Sequence, residues 1–317
     1  MTQPKKRGCL GCSFPVLIIV IAIALAIVII GFLAGPLGKS IIGDIGLPSW
    51  LSVPSPEPHL PAPVLFNVFG LPITNTMLAG WITVIFLVLV SWLITRRIKL
   101  VPGKLQAAFE FILGWIFDFC KSVAGEENGR KFFPVICTIF LFVAFNAWLS
   151  LIPGFGSIEF NGHELFRGSN TDVNTPLAIA LVSFAFVEYY GLRSLGVKYL
   201  RKFVNMGGLF GSVGHVFRGR VKKGLAGLFS GFIDIFVGGL ETLSELIRIV
   251  SFTFRLFGNM TAGEILIMVA AFLIPMAIGW MVYGLELFIG FIQALVFSGL
   301  TLAFASMAVS SHEEEAH

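Results

Sequence analysis

The chain has 317 residues, of which 56% are apolar and only 13% charged, with a mean hydropathy of +0.90. A soluble domain carries about 25% charged residues, so this composition excludes an ordinary soluble protein and indicates a membrane domain of roughly five to seven spans. The net charge of +4 does not point to a nucleic-acid partner, because the basic residues stand in short stretches that flank apolar spans.

Six apolar segments are long enough to cross a hydrocarbon core of ~30 Å: about 14–34, 75–95, 132–153, 175–192, 235–275 and 281–310. The first follows Lys5, Lys6 and Arg7. Its apolar run exceeds the ~7–15 residues of a secretory signal, which favours an uncleaved anchor; Ala34 and Gly35 leave a cleaved signal peptide as the alternative. Cys9 and Cys12 form one isolated C-x-x-C, too little for a metal or redox role. Cys120 and Cys137 fall on the reducing side, where no disulfide is expected. Residues 35–73 hold eight of the fifteen prolines, among them Pro54, Pro56, Pro58, Pro61 and Pro63. They read as an extended outer loop, either a spacer or a docking strip for a neighbouring subunit. The 105–120 stretch is apolar yet carries Lys104, Glu110, Asp118 and Lys121 at and around it, the pattern of an amphipathic helix lying in the interface. The fifth segment is too long for one upright span and is either a strongly tilted helix or a crossing preceded by a surface helix. The expected organisation is an anchor (1–35), a Pro-rich outer loop (36–73), a membrane domain (74–310) and a short tail (311–317). The fold class is all-α, integral to the membrane.

Orientation follows from the Lys and Arg residues. With the N-terminus cytoplasmic, eighteen of the twenty-two fall inside: the Lys5–Arg7 cluster; Arg96, Arg97, Lys99, Lys104, Lys121, Arg130 and Lys131; and eight in the 193–223 loop. Only Lys39 and Arg167 fall outside, while Arg248 and Arg255 lie in the fifth segment. So strong a bias places both termini in the cytoplasm.

Arg255 is the most informative residue. A guanidinium at membrane depth costs between ~3 and more than 10 kcal/mol, and it does not lose its proton. Projected at 100° per residue with Arg255 at zero, Ser251, Arg248, Ser244 and Glu241 fall at about −40°, +20°, −20° and +40°, and Asn259 at about +40°. Six polar side chains therefore share one narrow face about 27 Å long. Glu264 falls on the opposite side. In the sixth segment Glu286 and Gln293 are seven residues apart and share a face. Glu264 and Glu286 can meet toward the outer surface, while Glu241 and Ser244 lie toward the cytoplasm. Two polar entries from opposite sides, separated by a fixed positive charge, form a translocation path; a hydrogen-bonded seam between helices needs no arginines. His59, His163, His215, His312 and His317 are scattered without ligand or triad spacing, so no metal, cofactor or catalytic centre is expected. A self-contained ion channel or transporter is the alternative function, although no internal repeat supports it.

The run Arg255-Leu-Phe-Gly-Asn-Met-Thr-Ala-Gly-Glu264, with Gln293-Ala-Leu-Val-Phe seven residues after an ionisable position, resembles the signature of subunit a of the F-type ATP synthase, bacterial type. The resemblance extends over about residues 65–310 through Ile73-Thr-Asn-Thr-Met-Leu-Ala-Gly-Trp81, Val101-Pro-Gly-Lys-Leu-Gln106 and Asp172-Val-Asn174-Thr-Pro. It implies two long, tilted helices against a rotor ring of c subunits, with Arg255 facing the ring's carboxylate. It assigns Asn259, Glu264, Glu286 and Gln293 to an outer half-channel and Glu241, Ser244, Arg248 and Ser251 to a cytoplasmic one. It also implies peripheral-stalk b subunits as partners, a bacterial inner-membrane location and a non-catalytic, proton-conducting role. Two positions depart from the family pattern: Ile249 stands where many relatives carry Pro, and both outer acidic positions are Glu where many relatives place one His.

Overall fold

The computed structural model describes residues 14–43, 46, 48, 55, 61–96, 98–99, 101–152, 158–160, 163–196, 199, 221–275 and 278–310. The expectations for Lys5, Lys6, Arg7, Cys9, Cys12, Pro54, Pro56, Pro58, His59, Arg97, most of the 193–223 loop and the 311–317 tail lie outside these residues.

Helix α1 (Phe14–Ala34) is an unbroken run of aliphatic residues, and every side chain from 15 to 30 is exposed. Only Gly31 and Ala34 on it are buried, as suits a helix whose neighbours are chiefly lipid. Pro36 opens the short α2 (Pro36–Ile42) at its first position, where its missing N–H is no loss. Strands β1 (Val64–Val68) and β2 (Leu71–Thr74) then pair as an antiparallel hairpin, turning through Phe69 and Gly70 at φ 51° and 84°. The segment expected as an extended loop thus contains one helix and one hairpin. Its prolines fall mainly between them.

Thr74 caps α3 (Asn75–Thr95) by accepting the Met77 N–H at 3.3 Å. Helix α4 (Lys104–Ser150) is 47 residues long but turns at Gly125, whose φ of 77° and ψ of 172° are open only to glycine at low cost. Beyond the turn a Cβ at Gly129 would overlap the backbone of Cys120 and Lys121. The second arm therefore folds back closely on the first. The first arm covers the stretch near 105–120 expected as an interfacial amphipathic helix, and the second covers most of the third expected span. Asp118, Lys121, Glu126, Arg130, Glu127 and Lys131 form exposed ion pairs around the turn, each worth ~1 kcal/mol or less.

Two short strands, β3 (Glu159–Phe160) and β4 (His163–Glu164), and a 3₁₀ turn at Ser169–Thr171 lead to α5 (Asn174–Leu195). The last helices are α6 (Val221–Leu273), 53 residues long, and α7 (Ile278–Ser310). The fifth expected segment is thus part of one helix that begins fourteen residues earlier than hydropathy indicated. Among the described residues six helices are long and apolar enough to cross a membrane: the protein is an all-α, multi-pass membrane protein.

The chain forms two compact units. One contains α1, α2 and residues 260–289. Within it a Cβ at Gly35 would overlap the Leu273 carbonyl, so the joint between α1 and α2 seats directly on the end of α6. The other unit runs from Pro61 to Asn259 and resumes at Gly290. Its core combines Phe132, Ile136 and Phe140 of α4 with Phe186 of α5, Leu256 of α6 and Phe297 of α7. Phe132 meets Tyr190 edge-on at 4.8 Å between centroids, and Phe252 lies 4.8 Å from Phe297. Helices are also joined by hydroxyls and amides: Asn146 Nδ2 donates to Thr83 Oγ1 at 3.2 Å, and Ser183 and Thr301 share a 2.7 Å bond. Two motifs distant in sequence meet, since Thr76 donates to Asp172 Oδ2 at 3.2 Å and Asn75 to the Glu164 carbonyl at 3.1 Å. Gln106 holds both backbone groups of Lys99, at 3.2 and 3.1 Å, closing the turn before α4.

Gly125 and Gly114 both have open space where a Cβ would stand, but only Gly125 has positive φ. Gly125→Ala is expected to cost about 1–3 kcal/mol of backbone strain and to lower the melting temperature of the purified protein, whereas Gly114→Ala leaves it unchanged or raised. Equal melting temperatures for the two variants would contradict the assigned turn.

Candidate functional site

Leu, Ile, Val and Phe at most positions make α6 a membrane helix, and its polar residues have to be accommodated against that background. Where they are small they satisfy themselves, as Thr253 does by donating to the Ile249 carbonyl at 2.8 Å. Six others, from Glu241 to Asn259, lie along one face of the helix. Ser244, Ser251 and Asn259 are exposed, and Glu241, Arg248 and Arg255 are half-buried. Beside the stripe, Ile247, Val250 and Phe254 are 53–58% exposed, so the polar line borders an apolar, outward-facing surface.

The two arginines have different surroundings. Arg248 Nη1 lies 2.7 Å from Glu245 Oε2, and its guanidinium stacks 3.7 Å from the centre of the Phe304 ring of α7. Both contacts compensate for desolvation. Arg255 lies 5.7 Å from the Phe252 ring and, among the described residues, makes no ion pair. Seven residues separate the two on nearly the same face, yet among the described residues only Arg248 has an ion-pair partner.

Beyond Arg255, Asn259 Nδ2 donates to Gln293 Oε1 of α7 at 2.6 Å, and Gln293 is 4% exposed. In the other unit, Glu286 of α7 is 7% exposed, and its carboxylate lies so close to Gly263 that a Cβ there would overlap both oxygens. Glu264, the next residue, is half-buried. Asn259 is thus paired with Gln293, and Glu286 lies beside the backbone that carries Glu264. Among the described residues no three His, Cys, Asp or Glu side chains converge as a metal site would require.

Three residues of this region stand outside the sites expected from the sequence. Glu245 is 3% exposed, about 80° around α6 from Arg255 and off the stripe. Tyr199, 5% exposed, donates from its hydroxyl to Glu188 Oε1 of α5 at 3.2 Å. Its ring rests against Gly191, where any Cβ would overlap it. Glu188 could have been found by the rule that singled out Arg255, being an ionisable residue inside an apolar span. Tyr199 carries no comparable sequence signal.

With this geometry in view, a profile of the family described as "ATP synthase A chain" matches residues 77–306. The chain is 30% identical to the ATP synthase subunit a of Desulforamulus reducens over 264 residues, covering 80% of this chain and 86% of the relative. It is 31% identical to that of Desulfosudis oleivorans over 242 residues (75% and 87%) and 30% identical to that of Gloeobacter violaceus over 240 residues (76% and 85%). Matched along most of its length by the profile and by relatives that it covers almost whole, the chain belongs to the ATP synthase A chain family.

Proposed function

We propose that this chain is the proton-conducting stator subunit of a rotary ATP synthase, offering two offset half-channels to a ring of c subunits, with Arg255 between them. The observation that carries this reading is the difference between Arg248 and Arg255. A permanent charge at membrane depth with no counter-ion among the described residues, beside an outward-facing apolar surface, calls for a carboxylate supplied by another subunit. A rotor carboxylate that passes Arg255 is held ionised by the opposite charge and gives up its proton toward Ser251, Ser244 and Glu241. Once reprotonated from the outer side, through Glu286, Glu264 and the Asn259–Gln293 pair, it is neutral and crosses lipid at low cost. The fixed charge of Arg255 blocks direct passage between the two sides. The chain itself makes and breaks no covalent bond, so catalysis belongs to other subunits. The Lys and Arg distribution supports two cytoplasmic termini in a bacterial inner membrane, and peripheral-stalk b subunits complete the expected partners. The tilt of α6 and α7, and retention of residues 1–35 as an anchor, belong to the same proposal.

Replacing Arg255 by Ala is expected to reduce ATP-driven proton pumping in vesicles to background while leaving the complex assembled. Normal pumping by this variant would falsify the reading.

Glu264 and Glu286 are expected to act as one collecting pair. Single Gln substitutions slow pumping by roughly a few fold, and the double substitution slows it by more than the product of the two, the non-additivity of coupled sites. Rates that multiply independently would separate the two residues.

Gly263→Ala tests the placement of Glu286. The flexible carboxylate should swing away from the new methyl group, leaving assembly intact but slowing pumping to the level of Glu286→Gln. Unimpaired pumping would mean that the position of this carboxylate does not matter.

A further inference from the structure

Phe69 carries two costs that nothing described in the chain offsets. It opens the two-residue turn between β1 and β2, whose central residues, Phe69 and Gly70, both have positive φ. Asn, Asp and Gly suit such a turn. Phe69, at φ 51°, is the only non-glycine residue with positive φ among the described residues. Its side chain is also fully exposed. A bulky residue held in a left-handed conformation points to a function at that position, and a ring without contacts in the chain has to meet something outside it. Leu71, just beyond the turn, is 68% exposed, whereas Leu65 and Ile73 of the same hairpin are buried. One part of the hairpin is thus packed on the protein, and its apolar tip is not. From Leu60 to Thr95 the sequence holds no charged residue and no His.

The place of the hairpin indicates what the tip meets. β2 runs directly into α3, and the Asn75 N–H donates to the Pro63 carbonyl at 3.4 Å, tying the base of the hairpin to the first residue of that span. Pro72 and Thr74 of β2 also line a groove of about 670 Å³ together with Met77 of α3, Phe142 of α4 and Val182 of α5. Phe142 and Val182 stand about two turns inside the ends of their helices. β2 therefore lies against three membrane helices, at the level where the polar interface gives way to hydrocarbon.

We propose that the β1–β2 hairpin is a membrane-dipping loop, with Phe69 and Leu71 embedded in the lipid interface of the leaflet in which α3 begins. This requires only that α3 spans the membrane, whatever the proton path. Moving the Phe69 ring from water into lipid is favourable and offsets the strain of the turn, which accounts for Phe at a position where Asn forms the better turn. An exposed apolar patch marks a protein or a membrane contact, and the surroundings favour the membrane. No charge stands near the tip in sequence, and α3 continues the exposed apolar series with Trp81, Ile85 and Val88, so the same lipid suits both elements. The embedded tip fixes the depth at which the chain enters α3.

The test uses the whole complex in liposomes of phosphatidylethanolamine and phosphatidylglycerol, with the photoreactive residue p-benzoylphenylalanine placed at chosen positions. At position 69, illumination is expected to add the mass of one phospholipid to the chain. The same probe at Ile23, on the exposed α1, is the control for detecting lipid adducts. An adduct of position 69 to another subunit, or none while position 23 is labelled, overturns the proposal. A second measurement places the probe at Leu71 and compares the native turn with Phe69→Asn. Asn favours the turn, so a change in labelling does not come from loss of the hairpin. The lipid adduct at position 71 is expected to fall roughly tenfold in the Phe69→Asn background, as the loss of a buried Phe side chain implies. Equal adduct yields in the two backgrounds mean that Phe69 does not hold the tip in lipid, and they overturn the proposal independently of labelling at 69.

Discussion

The structure is organised around a guanidinium that cannot discharge itself. Arginine stays protonated where lysine would shed its proton, so the cost of placing Arg255 in a membrane helix, between ~3 and more than 10 kcal/mol, has to be met by contacts. Hydrogen bonds between membrane helices average about 0.6 kcal/mol, too small by several-fold for the Ser183–Thr301 or Asn146–Thr83 type of bond to compensate. Arg248 has a carboxylate at 2.7 Å and a stacked ring; among the described residues Arg255 has a ring at 5.7 Å and no ion pair. On the proposed reading the remainder comes from the rotor. The polar stripe of α6 therefore faces outward, and the helices behind it hold α6 in place.

That support is assembled without much hydrophobic drive, because lipid is as apolar as the side chains it surrounds. Close approach takes its place. Gly290 brings α7 against Ala147 of α4, Gly299 admits the Phe119 ring and Gly191 seats Tyr199. Rings interlock at 4.8–5.9 Å around Phe132, Phe140 and Phe252. The weak interhelical hydrogen bonds then contribute register more than stability. Asn146 meets Thr83 only when α3 and α4 are aligned at that level, and Ser183 meets Thr301 only when α5 and α7 are.

The spans were legible because apolar length is a direct physical requirement of the bilayer, and 75–95 and 175–192 fall within one to three residues of α3 and α5. The stripe was legible because helical periodicity is fixed by the backbone, so Glu241 through Asn259 could be placed on one face without coordinates. Three features were not. The reversal at Gly125 depends on a backbone angle that nothing in Ala124-Gly125-Glu126 announces. The start of α6 was placed late because hydropathy marks where a helix is apolar, whereas its first turn, from Val221, carries Lys222 and Lys223. Tyr199 meets Glu188 and Gly191 of α5 by tertiary packing alone, which no periodicity encodes. Glu188 was within reach of the rule applied to Arg255, but it lay near the end of its span, where an acid is readily taken for a boundary.

The same residue type answers two different requirements on α6. At position 248 the planar guanidinium is used for its shape: one edge meets Glu245 while the face lies 3.7 Å from the Phe304 ring centre. A lysine could keep the ion pair but would lose most of the stacked contact. At position 255 the packing contribution is small, and the property that counts is a charge that persists whatever the state of its partner. A rotor carboxylate is ionised in one part of the proposed cycle and neutral in the rest. While it is neutral and elsewhere, a buried lysine would be free to deprotonate, and the barrier between the two half-channels would vanish. On the proposed reading arginine keeps that barrier in place throughout, and among the described residues only Arg248, of the two, has a carboxylate of this chain beside it.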